Sequence, residues 1–373
     1  MKWLARGKQS KSLYFQNEEE WPEVTVVMSV YNEEQVMEKK MECLLALDYP
    51  KEKLHLYIGS DCSSDQTNAI ISRFAEQDAR IHFFPFTQRR GKPGVINELV
   101  HRMKDHRPPA SNHIYLLTDA NVILAENTLR QLVRHYKDPE VMLVDANMIS
   151  TGTRAEGISK SEDRYVSSEV QLKHREGLVW GRMIGPFGGC YSLRSTHYHD
   201  VPPRFLVDDF YITLKAFEQG GKAINDLEAF CYEGVSHDIW EEYRRKKRIS
   251  AGNFQNLHTF RHLLKLPFDS LGFAFFSHKV LRWLGPFFII GALVSSLILF
   301  LQSNIIYSIL LLLQLVILLL IPLFDTILKK MNIHLQLFRN ITYFNMMNVA
   351  LLEGFFKYIK GIKNNVWEPP KRN

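Results

Sequence analysis

The sequence has few cysteines and lacks the spacing that would join them in a metal site or a disulfide framework. The four are Cys43, Cys62, Cys190 and Cys231; they lie far apart, and none belongs to a Cys-x-x-Cys motif. This usage excludes the common structural zinc sites and a small disulfide-stapled secreted domain. It indicates free thiols in a reducing compartment.

The N-terminus lacks the apolar core of a secretory signal. The first 20 residues are polar and basic, with lysines and arginines and no apolar run of the required length. We therefore expect residues 1–22 to form a polar basic segment. We also expect the domain that follows to stay on the cytoplasmic side.

Large charge of one sign is absent as well. The net charge is only +6, and much of the excess lies in residues 244–248 and 357–371. Neither basic cluster is interleaved with the aromatic residues typical of nucleic-acid readers, so nucleic acid is not an expected partner. Phosphate groups, of substrates or of membrane lipids, are the expected anionic partners.

Charged residues are missing from one long stretch, which is almost uninterrupted apolar sequence from 284 to 323. Leu284–Leu301 and Ile305–Phe324 are each about long enough to cross a membrane, and three polar residues between them predict a hairpin turn. Basic residues flank the pair on both sides: Lys279, Arg282, Lys329 and Lys330. By the positive-inside rule both ends are cytoplasmic, so residues 284–324 predict a multi-pass protein of the inner membrane. The alternative is a buried helical pair in a soluble core.

Two further segments have an apolar side and a basic side. Residues 266–283 precede the hairpin, and residues 341–362 lie within the C-terminal segment 325–373. We expect both to lie in the membrane interface, in contact with lipid. A third spanning helix is the alternative for residues 341–362, but it would place the final lysine cluster on the far side.

Strand-like and helix-like segments alternate through the first 136 residues. The predicted strands are Glu23–Tyr31, His55–Ser60, Arg80–Phe86 and His113–Thr118; the predicted helices are Glu34–Ala46, Thr67–Asp78, Gly94–Lys104 and Glu126–Tyr136. This alternation predicts an α/β fold with a mostly parallel sheet, in which ligands bind at the carboxyl ends of the strands. Asp61 and Asp119 follow two of these strands. From about Val141 to Ala229 the pattern turns irregular, and we expect this part to carry the acceptor side of the site.

Seven motifs follow one another along the chain: VYNEE, SDCSSDQT, GKPGVIN, TDAN, FGGCYSLR, VDD and RRKKRISAGN. In this order and spacing they resemble the membrane-bound branch of family 2 glycosyltransferases, which includes cellulose-synthase-like and polysaccharide-synthase-like enzymes. The resemblance runs from about Val24 to Trp367–Pro369. It implies a cytoplasmic GT-A type nucleotide-sugar-binding domain over residues 23–265, followed by the helical hairpin and the interfacial helices.

A nucleotide-sugar donor leaves as a charged diphosphate, and a divalent cation held by carboxylate and phosphate oxygens commonly neutralises it. Asp119-Ala120-Asn121 follows a predicted strand, and alternation places the two polar side chains on one side. The resemblance makes this the family's D-x-D metal site for Mg²⁺ or Mn²⁺, with Asn121 in place of the second carboxylate. Asn121 as a helix N-cap is the alternative.

The resemblance also assigns the nucleotide. Asp61 and Asp65 match the residues that hold uracil and ribose, and Tyr31 and Glu33 match positions that line the base. Lys92 is expected near the base or the diphosphate. The alternatives are a turn or capping role for Asp65 and solvent exposure for Lys92.

The acceptor side is expected from two further motifs. Inverting transfer needs a general base for the acceptor hydroxyl, and in the Asp208-Asp209 pair the second acid, Asp209, matches the family's base. The pair could instead complement the dipole of a helix that begins there. Gly188 and Gly189 resemble the family's glycine-rich acceptor loop, where small residues let a sugar approach the backbone.

Arg245 and Arg248 occupy the place of the Q-x-x-R-W motif of processive members, where the arginine is expected to steady the diphosphate. Arg245 replaces the glutamine, and Ile249 replaces the tryptophan that stacks on the acceptor sugar. A basic helix on anionic lipid is the alternative. His237 is a further possible metal ligand, although a structural role is commoner for such a histidine.

The resulting hypothesis is an inverting, metal-dependent glycosyltransferase. It would move a hexose or N-acetylhexosamine from a UDP-sugar to a saccharide or lipid-linked acceptor at the membrane, in surface polysaccharide or glycolipid synthesis. Two alternatives stay open: a processive polysaccharide synthase acting as a homo-oligomer, and a non-catalytic nucleotide-binding membrane subunit.

Overall fold

The computed structural model describes residues 3–5, 7, 15, 17–152, 158–234, 239–266, 269–302, 305–331, 333 and 335–363, without the side chains of 18 and 158–165. His237, Ser303, Asn304 and Trp367–Pro369, which the sequence analysis singled out, lie outside these residues. The chain divides into two compact units. The first comprises Met1–Thr151, Val166–Gly234 and Ile362–Asn373, and the second comprises Gly152–Tyr165 and Val235–Gly361.

The first unit begins with four strands that pair in parallel. They are β1 (Glu23–Val30), β2 (Leu54–Asp61), β3 (Ile81–Phe86) and β4 (His113–Thr118). In the sheet they stand in the order β3-β2-β1-β4. Three of the four are nearly continuous apolar runs because helices cover both faces of a parallel sheet. The four strands predicted from sequence are confirmed to within one residue at each end.

Helices connect these strands as the sequence predicts. They are α1 (Glu34–Leu45), α2 (Thr67–Gln77), α3 (Gly91–Lys104) and, after the two-residue strand β5 (Ile123–Leu124), α4 (Thr128–Val133). A short 3₁₀ turn, Arg134–Lys137, completes the last of them. The apolar sides of these helices pack on strand residues such as Val24, Val26 and Met28, which are fully buried.

The rest of the first unit is more regular than its sequence indicates. It holds β6 (Val141–Thr151), the part of α5 (Ile158–Trp180) from Val166 onward, β7 (Cys190–Arg194), α6 (Asp208–Glu218) and β8 (Lys222–Gly234). The expectation of an irregular stretch from 141 to 229 was therefore wrong. Helix α5 is largely polar, and glycines with positive φ at 181 and 185 interrupt the pattern before β7.

These later strands extend the sheet to eight, in the order β3-β2-β1-β4-β7-β6-β8-β5. Four of the seven pairings are parallel, and the pairings of β7 with its two neighbours and of β5 with β8 are antiparallel. The predicted α/β fold with a mostly parallel sheet is confirmed. Its mixed half brings the loop before β7 beside the end of β4, so residues far apart in sequence meet at the carboxyl edge of the parallel strands.

The second unit is helical. Its elements are α7 (Ile239–Thr259), α8 (Ser270–Ala274), α9 (Leu281–Trp283), α10 (Gly285–Leu301), α11 (Ile305–Leu315), α12 (Ile321–Lys330) and α13 (Gln336–Ile359). Single π-helical turns, Phe275–Val280 and Val316–Leu320, join α8 to α9 and α11 to α12. Within this unit α7 packs closely on α13. The glycine at position 354 allows this close approach, since a Cβ there would lie 2.4 Å from the Cβ of Ser250.

The continuous helix Ile305–Lys330 is long and apolar enough to cross a membrane, and no residue of its most apolar 18-residue stretch is buried. Within the described residues it is the only single helix with these properties; a bent pair, Ser270–Trp283 with Gly285–Leu301, would be a second if its 58° bend lies inside one span. The predicted two-helix hairpin is thus not confirmed in detail. The helix that contains the predicted second span continues past Phe324 to Lys330, and Asp325 on it is buried with its carboxylate 3.4 Å from Arg339 Nε.

Helix α13 begins before the predicted start at residue 341, and residues 266–283 form the bent segment before α10. Whether either lies in the membrane interface stays a prediction.

Candidate active site

The loops after β1 and β2 are tied together by reciprocal hydrogen bonds. The backbone amide of Glu34 donates to the Asp65 carboxylate at 3.1 Å, and the amide of Gln66 donates to the Glu34 carboxylate at 3.0 Å. Asp65 also accepts from the amide of Thr67 at 3.0 Å, at the start of α2. The turn role that was the alternative for Asp65 is therefore observed, whereas the N-cap residue of α2 is Gln66; these hydrogen bonds tie the loop to the residues after β1.

Asp61, at the end of β2, is 2% exposed and accepts hydrogen bonds from the next loop. The backbone amides of Arg90 and Gly91 donate to its carboxylate at 2.6 and 3.0 Å, and Arg89 Nε donates at 3.1 Å. Gly91 has a φ of +73°, which a residue with a side chain rarely adopts. Asp61 thus fixes the loop that leads directly into Lys92.

Tyr31 faces the same loop. The guanidinium carbon of Arg89 lies 3.3 Å from the centroid of the Tyr31 ring, a cation–π contact. Glu33, the other predicted base-lining residue, is 6% exposed, and its backbone amide donates to Thr67 Oγ1 at 2.8 Å. Tyr31, Asp61 and Arg89 therefore form one cluster, a flat aromatic face beside a carboxylate. Sequence reasoning missed Arg89, although it lies only two residues before the Gly-Lys pair.

Lys92 connects this cluster to the second group of acids. Its ammonium donates to Asp119 Oδ1 at 2.7 Å and lies 3.8 Å from Asp208 Oδ2. It also approaches the carbonyl oxygen of Gly188 at 3.4 Å. Solvent exposure was the alternative for this residue; the Lys92 side chain is 33% exposed but lies at the centre of the acidic cluster.

Two opposing effects act on the Lys92 ammonium. Burial disfavours its charge, but the carboxylates of Asp119 and Asp208 outweigh burial and raise the pKa of Lys92 above its ordinary value. Lys92 is thus a permanent cation at neutral pH. A permanent cation between carboxylates is suited to receive a further anion, such as a phosphate.

The glycine-rich loop before β7 lies against the acid pair. A Cβ on Gly188 would stand 2.7 Å from Asp209 Oδ2, and one on Gly189 would stand 2.7 Å from side-chain atoms of Phe187 and Val122. Glycine is therefore required at both positions by close approach. The loop is held from below by the fully buried Asp145, which accepts a hydrogen bond from the amide of Phe187 at 2.7 Å.

Asp208 and Asp209 occupy the first turn of α6. Burial and the adjacent Asp208 carboxylate raise the pKa of Asp209 to about 6, while Lys92 acts in the opposite direction. A carboxylate with this pKa is ionised at neutral pH and yet basic enough to accept a proton from a hydroxyl. The helix-start position also complements the dipole of α6, so this alternative role of the pair is compatible with the first.

Asn121 lies in the turn after β4 and outside any helix start; Asn127 holds the N-cap position of α4. The N-cap alternative for Asn121 was therefore wrong. Its side-chain amide donates to Glu233 Oε1 at 2.8 Å, on β8, a contact that the sequence did not indicate. Long-range pairing of β5 with β8 brings Glu233 to this turn.

The side chains around this turn fit a hard divalent cation. Asp119 and Glu233 are carboxylates and Asn121 carries an amide oxygen, all ligand types that Mg²⁺ and Mn²⁺ accept. Within the described part of the chain, no group of three or more acids, histidines or cysteines could hold a metal alone. This fits a cation bound by one or two protein carboxylates and completed by substrate phosphates.

Arg245 and Arg248 lie on α7, in the second unit. The Nε of Arg245 donates to the buried Glu242 at 2.7 Å, so part of its charge is compensated within its own helix. The prediction that these two arginines contact the diphosphate stays a prediction. Apart from His237, which lies outside the described residues, the other predicted site residues belong to the first unit, at the carboxyl edge of the parallel strands.

Comparison with known proteins gives two family models that match this chain. The model for "Glycosyl transferase family 2" matches residues 25–195, and the model for "Glycosyl transferase family group 2" matches residues 113–325, more than half of the chain.

Two curated relatives are similar in sequence. A beta-monoglucosyldiacylglycerol synthase of Synechocystis sp. is 26% identical over 161 residues, which are 40% of this chain and 31% of that protein. A poly-beta-1,6-N-acetyl-D-glucosamine synthase of Staphylococcus aureus is 23% identical over 246 residues, which are 65% of this chain and 57% of that protein. The chain thus matches only a third to somewhat more than half of these relatives' length.

One solved structure is similar over nearly the whole chain. It is a mannosyltransferase from Pyrobaculum calidifontis in complex with GDP-Man and Mn²⁺, with a TM-score of 0.68 and 19% sequence identity. The superposition covers 96% of this chain and 93% of that one. This similarity shows that the present chain has a GT-A fold.

Proposed function

The chain belongs to the family 2 glycosyltransferases, and we propose that it transfers a hexose or N-acetylhexosamine from a UDP-sugar to a membrane-associated saccharide or lipid-linked acceptor, with inversion. The relatives that make a glucolipid and an N-acetylglucosamine polymer support a role in glycolipid or surface-polysaccharide synthesis. One arrangement carries the proposal: Lys92 lies between Asp119 and Asp208, while Asp209 lies against the glycine-rich loop.

The donor would bind along the line from Tyr31 to Lys92. The Tyr31 ring with the Arg89 guanidinium stacked on it offers a flat surface to a nucleobase. The Asp61 carboxylate, which accepts hydrogen bonds from the Arg89–Gly91 loop, holds that surface in place. The Lys92 ammonium then lies where the diphosphate would follow. A divalent cation held by Asp119 and Asn121 would neutralise the charge that develops on the departing diphosphate.

The acceptor would approach over Gly188 and Gly189. In the proposed step the ionised Asp209 carboxylate takes the proton of the acceptor hydroxyl as its oxygen bonds to the anomeric carbon. The bond from that carbon to the diphosphate breaks on the opposite face, and the nucleoside diphosphate leaves beside Lys92. Attack from the opposite face inverts the anomeric configuration.

Membrane attachment through the helix Ile305–Lys330 would keep the enzyme at the membrane, where lipid-linked sugars are found. Resistance of the protein to alkaline carbonate extraction from membranes would support this attachment. Release into the soluble fraction would contradict it.

A donor screen tests the proposal. The purified full chain with Mn²⁺ is given UDP-glucose, UDP-galactose, UDP-N-acetylglucosamine or GDP-mannose together with a glycolipid extract, and release of nucleoside diphosphate is measured. We expect acceptor-dependent UDP release from one UDP-sugar, and about a 10²- to 10⁴-fold loss with Asp209→Asn. The matched control, Asp105→Asn, changes an exposed acid on the far end of α3 and should retain activity.

The outcomes separate the parts of the proposal. Activity with GDP-mannose alone would remove the UDP assignment, and equal release by the wild type and Asp209→Asn would remove Asp209 from the base role. The NMR coupling of the new anomeric proton reports inversion. Product length distinguishes single addition from a processive synthase.

A further inference from the structure

One lysine of helix α1 is completely buried, and the chemistry proposed above does not use it. Lys40 has no exposed surface, and its ammonium donates to Thr118 Oγ1 at 2.9 Å and to the carbonyl oxygen of Val122 at 2.5 Å. Thr118 and Val122 stand immediately before and after Asp119-Ala120-Asn121. The side chain therefore grips both ends of the turn that carries Asp119.

The contact continues into the glycine-rich loop. Thr118 Oγ1, which accepts from Lys40, donates to the carbonyl oxygen of Gly189 at 2.9 Å. The backbone amide of Asp119 donates to the same oxygen at 3.0 Å. Lys40 thus donates the first hydrogen bonds of a network that joins the Asp119 turn to the loop against which Asp209 lies.

The buried charge is costly for the fold. Among the described residues, no carboxylate forms an ion pair with Lys40, and burial lowers the pKa of its ammonium. On the same buried side of α1, Met37, Met41 and Leu44 fill the core with apolar chains of similar size. An unbranched apolar side chain at position 40 would fill the same volume without the desolvation penalty of a charge.

We propose that Lys40 is a positioning residue for glycosyl transfer. It fixes the turn that carries Asp119 relative to the Phe187–Cys190 loop, and so it fixes the position of the bound donor relative to the bound acceptor. The inference rests on the proposed function of this site. It predicts that loss of the ammonium impairs the transfer step more than it impairs donor binding, because each loop can still bind its own ligand while their relative placement changes.

The first test is Lys40→Met in the full chain, with Met41→Leu as the matched control on the same buried helix face. We expect the kcat of Lys40→Met to fall about 10- to 100-fold, with the KM for the donor changed less than about threefold. We also expect the variant to stay folded, because removal of a desolvated charge offsets the loss of its hydrogen bonds to Thr118 and Val122. A normal kcat, or a fall in kcat matched by a similar rise in KM, would overturn the inference.

A second variant isolates the network from the charge. Thr118→Val keeps the shape of the side chain but removes the hydroxyl between Lys40 and Gly189, so it tests the same link if Lys40→Met does not fold. We expect the kcat of Thr118→Val to fall, with little change in the KM for the donor. In the double variant, the fall in kcat should be smaller than the product of the two single-variant falls, because both changes break the same network. Wild-type kcat in Thr118→Val would show that the network does not serve transfer.

Hydrogen–deuterium exchange tests positioning without activity. In Lys40→Met, peptides covering residues 118–122 and 187–190 should exchange at least about threefold faster, while β2 should be unchanged. Unchanged exchange at both loops would overturn the inference even if no donor is found. The proposed function fails separately, when the wild type releases no nucleotide from any donor or when Asp209→Asn retains full activity.

Discussion

Lys92 and Asp119 form the ion pair at the centre of this site: the lysine ammonium donates to Asp119 Oδ1 at 2.7 Å. Lys92 is the second residue of α3, directly after the loop that Asp61 holds, and Asp119 follows β4. The pair therefore joins the nucleotide side of the cleft to the acids. In the proposed reaction the same ammonium faces the diphosphate, so its charge serves both the resting site and the departing group.

Replacement of Lys92 by methionine should impair donor use. The substitution removes the cation beside the diphosphate and leaves Asp119 and Asp208 to repel the incoming anion. We expect kcat/KM for the donor to fall about 10- to 100-fold, measured by nucleotide release. Lys104→Met, at the exposed end of the same helix, is the control. A Lys92→Met variant with normal kcat/KM would place the diphosphate elsewhere.

Replacement of Gly188 by alanine should displace the proposed base. Its Cβ would stand 2.7 Å from Asp209 Oδ2, closer than such atoms can lie, so one of them must move. We expect kcat to fall about 10- to 100-fold with little change in the melting temperature. Gly291→Ala, where a Cβ meets open space, is the matched control. Equal activity of the two variants would argue that Asp209 does not act at this position.

Activity should fall on the acid side of neutrality. The pKa of Asp209 is raised to about 6, and only its ionised form can accept the hydroxyl proton. Below this pH, kcat/KM should therefore decrease about tenfold for each pH unit. A profile of kcat/KM from pH 4.5 to 8.5 checks this, with the melting temperature followed in parallel. An acid limb near pH 4 would mean that the carboxylate in question is unperturbed.

The stability of the fold should depend on the ionisation of Asp209 in the opposite direction to activity: it should decrease as the pH rises. Because the folded state raises the pKa of Asp209 above the ordinary 3.8, it binds the proton more tightly than the unfolded chain does, and stability is lost as pH rises from about 4 through 6. Asp209→Asn removes this loss. In metal-free buffer with EDTA, the variant should melt above the wild type at pH 8, and the difference should vanish near pH 4. A constant difference across this range would contradict the assignment.

Metal use should respond to Asn121. The amide of Asn121 now donates a hydrogen bond to Glu233 Oε1 at 2.8 Å. Asn121→Asp replaces this amide with a carboxylate, so two carboxylates would face each other at this place. A cation between them gains charge, so the Mn²⁺ concentration for half-maximal activity should fall about three- to tenfold. Asn127→Asp, at the N-cap of α4, is the control. An unchanged or higher metal requirement would show that Asn121 does not face the cation.

Much of the fold was predictable from local sequence. The β-branched and apolar runs of β1, β2 and β4 and the turns that end them encode strands without reference to distant residues. The positions of Asp61 and Asp119 after such strands led to one cleft, since parallel strands end at one edge, whereas Asp209 was predicted only from the family resemblance. Periodicity failed at α5 and β7, where a polar helix and positive-φ glycines hide regular structure.

What the sequence determined by itself is the parallel strands and the acids, glycines and lysine proposed for the site, because motif order and strand ends are local properties. Tertiary structure alone decided their partners: Arg89 on Tyr31, Glu233 beside Asn121, and Lys40 beneath the Asp119 turn. Each of these contacts joins residues at least 58 positions apart or on separate elements, with no repeat or spacing to announce it. The packing of α1 brings Lys40 to the Asp119 turn, the pairing of β8 brings Glu233 to Asn121, and the loop held by Asp61 brings Arg89 onto Tyr31.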